Sequence, residues 1–198
     1  IEQALTNAGR LMKEGRAGAV KLEGGAAVCP QIKAMTEIGI PVMAHLGLTP
    51  QSINTLGGNK IQGKTEEAAE KLLEDAYAVQ QAGAFSLVLE CIPAPLAAFI
   101  TKAIRIPTIG IGAGNGCDGQ ILVYQDMLGM FSDFVPKFVK QYAKVGDMMT
   151  TAFREYHEEV KSTAFPNEEH SFKIKYPMIL EKLKGKVETE ETAKEETD

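Results

Sequence analysis

Lys21 and Glu23 stand two residues apart in a short apolar run, Ala19-Val20-Lys21-Leu22-Glu23, that ends in Gly24-Gly25. Side chains alternate along a strand, so the two would point to one face. A cation and a carboxylate at the end of an apolar strand are costly to bury without a task. The carboxylate suits a metal ion, and the lysine suits an anionic substrate or developing negative charge. The pair reads equally well as a plain ion pair on a strand edge.

Glu90 closes the run Leu87-Val88-Leu89. A carboxylate there suits a general acid or base, or a structural group accepting loop N–H bonds. His45 closes Ile40-Pro41-Val42-Met43-Ala44-His45-Leu46. It could be a base, a metal ligand or a satisfied hydrogen-bonding residue, and the structural role is the safer one for a lone histidine. The 47–52 loop beside it favours a pocket role. Gly110, Gly112 and Gly114 would let backbone N–H groups approach an anion, or would serve tight packing. No Gly-Lys-Ser/Thr follows them, which excludes a nucleotide P-loop. Asp126 reads as the cap of a helix starting at Met127. Cys91 follows Glu90 on the opposite face, which argues against a nucleophile.

The elements that must position these residues alternate. Helical spacing covers 1–14, with Gly15 as a stop. The Lys21/Glu23 strand follows. Cys29-Pro30 opens a helix that Gly39 ends. Strand 40–46 leads into a long polar connection, 47–64, of the kind that is functional or disordered in a compact domain. Thr65 caps a helix over 66–82, with acids in its first turn and Gly83 beyond its end. Strand 84–91 is nearly all apolar, as in sheets covered on both faces. Helix 95–103, strand 106–111 and strand 120–124 come next. Residues 134–161 are helical in spacing, with a break at Gly146 and Asp147. Five units in the βα sense mean a parallel sheet, open and doubly wound or closed into a barrel. A (β/α)₈ barrel needs three more units. In either form the active site lies at the C-terminal strand ends, where Glu23, His45, Glu90 and Gly112 fall.

Composition excludes several classes. The 198 residues are 44% hydrophobic, enough for one domain's core. The stretch 185–198 carries six acids and two lysines, so the rest is close to neutral and has no basic excess for nucleic acid. We expect that acidic tail to be disordered and residues 1–184 to form one domain. Three scattered cysteines fit neither a disulfide framework nor a zinc knuckle, and suit a reducing compartment. No apolar run reaches the ~20 residues of a membrane span. The chain opens at Ile1 already in helical spacing, so we expect part of a longer or processed protein.

Longer motifs carry a resemblance. Val20-Lys21-Leu22-Glu23-Gly24-Gly25 and Ile40-Pro41-Val42-Met43-Ala44-His45-Leu46-Gly47-Leu48-Thr49-Pro50-Gln51-Ser52 resemble the ketopantoate hydroxymethyltransferase family. So do Gly57-Gly58, Gln62-Gly63, Leu87-Val88-Leu89-Glu90-Cys91, Pro107-Thr108-Ile109-Gly110-Ile111-Gly112-Ala113-Gly114 and Cys117-Asp118-Gly119-Gln120. The likeness spans about 19–170. It implies a (β/α)₈ barrel of the phosphoenolpyruvate mutase and isocitrate lyase type, with about five of eight units in this chain. It also implies a cytoplasmic enzyme of pantothenate biosynthesis, assembled as homo-oligomers (decamers in the family). The implied reaction moves a one-carbon unit from 5,10-methylenetetrahydrofolate to 3-methyl-2-oxobutanoate, with Mg²⁺.

By the same resemblance Glu23 is a metal ligand, Lys21 contacts the keto acid, and Glu90 accepts the proton. His45 sits in the substrate pocket, and Gly47, Leu48 and Thr49 belong to a loop that helps cover the folate. Ala44 stands where the family usually has glycine. Two further metal-binding aspartates belong to earlier strands in the family and have no counterpart here. A carbon–carbon lyase or mutase of the same superfamily is an alternative, although the 47–52 loop lacks the added base or cysteine it would need. A non-catalytic barrel fragment is another.

Overall fold

The computed structural model describes residues 1–130 and 134–195. The chain divides into two compact units, Ile1–Val145 and Gly146–Asp198. The first unit holds α1 (Glu2–Lys13), β1 (Val20–Glu23), α2 (Cys29–Glu37), β2 (Val42–Gly47), α3 (Glu66–Gln81), β3 (Ser86–Glu90), α4 (Ala94–Ala103), β4 (Thr108–Ile111), β5 (Gly119–Gln120) and α5 (Tyr124–Met127). The strands form one parallel sheet in sequential order.

Local chemistry accounts for the helices. Thr65 Oγ1 accepts from Ala68 N at 3.2 Å and caps α3, while Glu66 and Glu67 occupy the dipole-favoured first turn. Pro30 lies in the first turn of α2, where its missing N–H costs nothing. The helices pack on one face of the sheet. Val42, Ala44 and Leu46 of β2 and Leu87 and Leu89 of β3 belong to that core with Ile32 and Ile100. Each fully buried aliphatic side chain contributes roughly 1.5–3 kcal/mol. A one-residue slip of β3 would exchange Leu87 and Leu89 for Val88 and Glu90, so core burial also sets which way Glu90 points.

Several expectations need correction. The strand expected over 120–124 shrinks to Gly119–Gln120, because the chain turns into α5 at Tyr124. Asp126 therefore lies inside a helix that begins at Tyr124 rather than capping one from Met127. Residues 134–144 are not helical. Pro136 has no N–H to give. Tyr142 N donates to Met127 O at 2.8 Å and Val145 N to Leu128 O at 2.9 Å, so the end of this segment is tied back to the C-terminal end of α5 instead. No helix joins β4 to β5, which breaks the expected alternation.

The second unit contains α6 (Val145–Lys161) and α7 (Met178–Glu195). Gly146 and Asp147 do not break α6 but sit in its first turn, where an acid favours the helix dipole. The Phe165 ring packs edge-on to Tyr156, with centroids 5.7 Å apart. The tail, expected to lack structure from Gly185, is helical through Glu195, and residues 196–198 lie outside the described residues. Lys, Glu and Ala have high intrinsic helix propensity, which needs no core. Residues 178–186 of α7 are all exposed. Removing residues 185–198 is expected to leave melting temperature and activity nearly unchanged, because a stretch with six acids and few apolar residues has little to bury. A fall of several degrees in a thermal melt would show that it docks. Among the described residues, no helix is long and apolar enough to cross a membrane.

Candidate active site

Register brings the ionisable strand ends together. Glu23 pairs with His45, Gly47 with Glu90, and Glu90 with Ile111. All lie at the C-terminal edge of the parallel sheet, with Gly112 one residue beyond. Alternation puts Lys21, Glu23, His45 and Glu90 on the face opposite the helix-packed core. That face was legible for Lys21 and Glu23; the register extends it to the other two.

His45 is the centre of the group. Its side chain is 1% exposed, and its two ring nitrogens face different carboxylates. Nδ1 lies 3.6 Å from Glu23 Oε1 and 3.5 Å from Lys21 Nζ. Nε2 lies 3.1 Å from Glu90 Oε2. That contact is short enough for an ion pair but is not aligned as a hydrogen bond, so Nε2 has no hydrogen-bond partner among the described residues. An unpaired buried donor or acceptor costs about 1–3 kcal/mol, which fits a group held ready for something not yet bound. If Lys21 donates to Nδ1, the neutral ring carries its proton on Nε2, beside Glu90.

The 47–64 connection holds the carboxylate of Glu23 and the main chain at Glu90 and Cys91. Glu23 Oε2 accepts from Gln51 N at 3.0 Å, which ties it to the turn Pro50–Ser52. Leu48 N donates to Glu90 O at 2.8 Å, and Gln62 N donates to Cys91 O at 2.9 Å. The 47–64 connection is thus anchored to both Glu23 and the end of β3. Leu48 and Thr49 are buried, at 6% and 8% exposure. Gly47 has φ +91°, and a Cβ there would overlap the carbonyl oxygen of Glu90.

The glycine run after β4 serves packing. A Cβ at Gly112 would meet the Phe138 ring at 2.8 Å, one at Gly116 would meet Ala98 Cβ at 2.6 Å, and one at Gly114 would overlap Ala94. The loop hugs α4 and leaves no reason to assign it an anion. Cys91 has φ +49°. Burial, then the Glu90 carboxylate, push its thiol up from the ordinary value, which disfavours the nucleophilic thiolate.

Glu23 offers a hard oxygen donor to a cation. Among the described residues no group of three or more His, Cys, Asp or Glu could hold a metal ion. Mg²⁺ is commonly bound through one or two carboxylates, with waters and substrate oxygens completing its shell. The half-buried, loop-anchored Glu23 fits one such ligand position.

The chain matches the ketopantoate hydroxymethyltransferase family over residues 1–168. It belongs to that family. Proteins named 3-methyl-2-oxobutanoate hydroxymethyltransferase are similar to it: 64% identity over 183 residues in Clostridium novyi (strain NT), and 62% in Enterococcus faecalis (strain ATCC 700802 / V583). Each alignment covers 92% of this chain and 66% of the relative. The relative from Clostridioides difficile (strain 630) is 61% identical over the same coverage. The chain thus spans just under two thirds of the length of these ketopantoate hydroxymethyltransferase relatives.

Two contributors were missed in the sequence. One is the backbone N–H of Gln51, whose partner depends on how the 47–64 connection folds back, and no residue type announces that. The other is Asp75, buried on α3. Its signal was visible: an acid between Leu72, Ala76 and Val79 on the apolar face of the helix.

Proposed function

We propose that this chain carries catalytic strand ends of an enzyme that transfers a hydroxymethyl unit from 5,10-methylenetetrahydrofolate to 3-methyl-2-oxobutanoate. The product is 2-dehydropantoate (ketopantoate), on the way to pantothenate. The observation that carries this reading is His45 in contact with both Glu23 and Glu90 on one sheet face, in a member of this family. The five parallel strands are read as part of a (β/α)₈ barrel, and the whole protein as a homo-oligomer.

Glu90 acts as the base that takes the proton from C3 of the keto acid. His45, 3.1 Å away, presents Nε2 to the same region and lines the substrate site. Lys21 supplies positive charge to the anionic substrate and to the charge that develops as the proton leaves. The C3 carbon then attacks the folate methylene, water supplies the hydroxyl, and tetrahydrofolate departs. Gly47, Leu48 and Thr49 bring the loop over the strand ends, where it helps to cover the folate. Glu23 would hold Mg²⁺ through its carboxylate. Bound Mg²⁺ would polarise the oxygens of the keto acid and so acidify C3.

The test is product formation from the keto acid and methylenetetrahydrofolate, with exchange of the C3 hydrogen into deuterated water as the partial reaction. Exchange that needs Mg²⁺ and no folate is expected. Product formation without any C3 exchange competence would sink the scheme. Within it, Glu23→Gln is expected to weaken Mg²⁺ binding, because a neutral amide is a poorer ligand for a hard cation. Unchanged Mg²⁺ affinity by calorimetry would remove Glu23 from the metal.

A further inference from the structure

Asp75 is 9% exposed and is the one charged residue on the buried face of α3. A carboxylate does not settle among Leu72, Ala76 and Val79 unless something compensates it. What compensates it lies on another element. Asp75 Oδ1 accepts from Ala26 N at 2.8 Å, in the turn that directly follows β1. The same oxygen accepts from Lys71 Nζ at 2.6 Å, and this bond holds the Lys71 ammonium above its ordinary value. The carboxylate presses so closely on Gly25 that a Cβ at that position would overlap it.

The turn needs such a clamp. Residues 24 and 25 are both glycine, and Gly24 sits at φ +124°. Two successive glycines give the backbone more freedom than any other pair. The short helical turn Ala26–Val28 begins after Gly25, which has no side chain to cap it, and Asp75 caps it from across the sheet edge. On the other side, Gly24 N donates to His45 O at 3.0 Å. The four residues from Glu23 to Ala26 are thus fixed at both ends, one end by the ladder and the other by Asp75.

We propose that Asp75 is a positioning residue for the site: by clamping the Gly24–Gly25 hinge it aims the Glu23 carboxylate at His45 and Gln51. Asp75 bonds the turn after Glu23, and Lys71 neutralises its charge, so it acts through Glu23 rather than on a substrate. The functional meaning rests on the reading of Glu23 as a working carboxylate; the positioning itself does not.

The experiment measures amide hydrogen exchange by NMR in the 198-residue chain and in its Asp75→Ala variant. The reporter is Gln51 N–H, which bonds Glu23 Oε2 and touches neither Asp75 nor the turn. Exchange at Gln51 and Ala26 is expected to quicken roughly tenfold, the worth of about one hydrogen bond, with the amides of β3 unchanged. Asp75→Asn keeps an acceptor oxygen in the same place, so it should restore protection to within about twofold of the parent. If Asp75→Ala does not fold, Asp75→Glu keeps the acceptor but displaces the turn by one methylene, and Gln51 must still lose protection. Faster exchange at Ala26 with Gln51 unchanged would overturn the proposal and leave Asp75 as a turn cap only. Titration of the same samples with Mg²⁺ keeps the two ideas apart. A change in Mg²⁺ affinity between parent and variant bears on the metal role of Glu23, while Gln51 exchange alone decides the positioning.

Discussion

Glu90→Gln is expected to cut turnover roughly 10²- to 10⁴-fold, the usual worth of a positioned general base. Glutamine keeps the size of the side chain and the packing around β3 but cannot take a proton. Glu90 ends a strand whose Leu87 and Leu89 are fully buried, so its backbone has little freedom to drift. Leu48 N bonds its carbonyl, and Cys91 N bonds Ile111 O at 2.9 Å, which hold the same point from both sides. Substrate and Mg²⁺ binding should survive, because Lys21 and Glu23 are untouched. Exchange of the C3 hydrogen of 3-methyl-2-oxobutanoate with deuterated water, run without folate in protein that shows exchange before substitution, isolates proton removal. A variant that exchanges as fast as the parent would shift the base to His45, whose Nε2 lies 3.1 Å from the carboxylate. A parallel fall in Mg²⁺ affinity would mean that Glu90 works through the metal shell.

Gly47→Ala is expected to damage both stability and catalysis. Its φ of +91° belongs to a backbone region that side chains avoid, at about 1–3 kcal/mol for a forced residue. For a chain of this size that alone lowers the melting temperature by roughly 2–10 °C. The added Cβ would also overlap the carbonyl oxygen of Glu90 and meet Ile92 Cγ2 at 2.9 Å. Relief requires that β2 or the end of β3 move, and Glu90 sits at that end. Misplacement of a reacting group by about 1 Å can cost 10²-fold in rate. Thermal melts and the deuterium exchange assay read the two effects separately. A variant that melts with the parent and exchanges at the parent's rate would show that the loop absorbs the methyl group elsewhere.

Glu23, His45 and Glu90 were legible as strand ends because each stands at or near the close of a short apolar run that gives way to a loop. Their mutual distances were not, because the register of three strands is a property of the folded sheet. The helix cap at Thr65 was legible from one residue type, and the structure places its hydroxyl on Ala68 N. The glycines after β4 misled in part. Their spacing permits an anion or a close approach, and only the positions of Ala94, Ala98 and Phe138 decide between them. Residues 134–144 failed for a similar reason. Phe134, Phe138 and Tyr142 have helical spacing, yet Pro136 and the free carbonyls of α5 offered the backbone another arrangement. Asp75 carried its own signal, an acid among the apolar Leu72, Ala76 and Val79 with Lys71 one turn earlier as its counter-charge.

The ladder of main-chain bonds runs one step beyond each strand. Gly24 N bonds His45 O, Leu48 N bonds Glu90 O, and Cys91 N bonds Ile111 O. Each donor follows the last residue of its strand, and each acceptor belongs to the next strand over. The side chains that would do the chemistry are therefore linked like the treads of one stair, every tread resting on its neighbour. Local opening tends to occur in contiguous cooperative units rather than residue by residue. Glu23, His45 and Glu90 should therefore loosen as a single body, the backbone under all three opening and closing together.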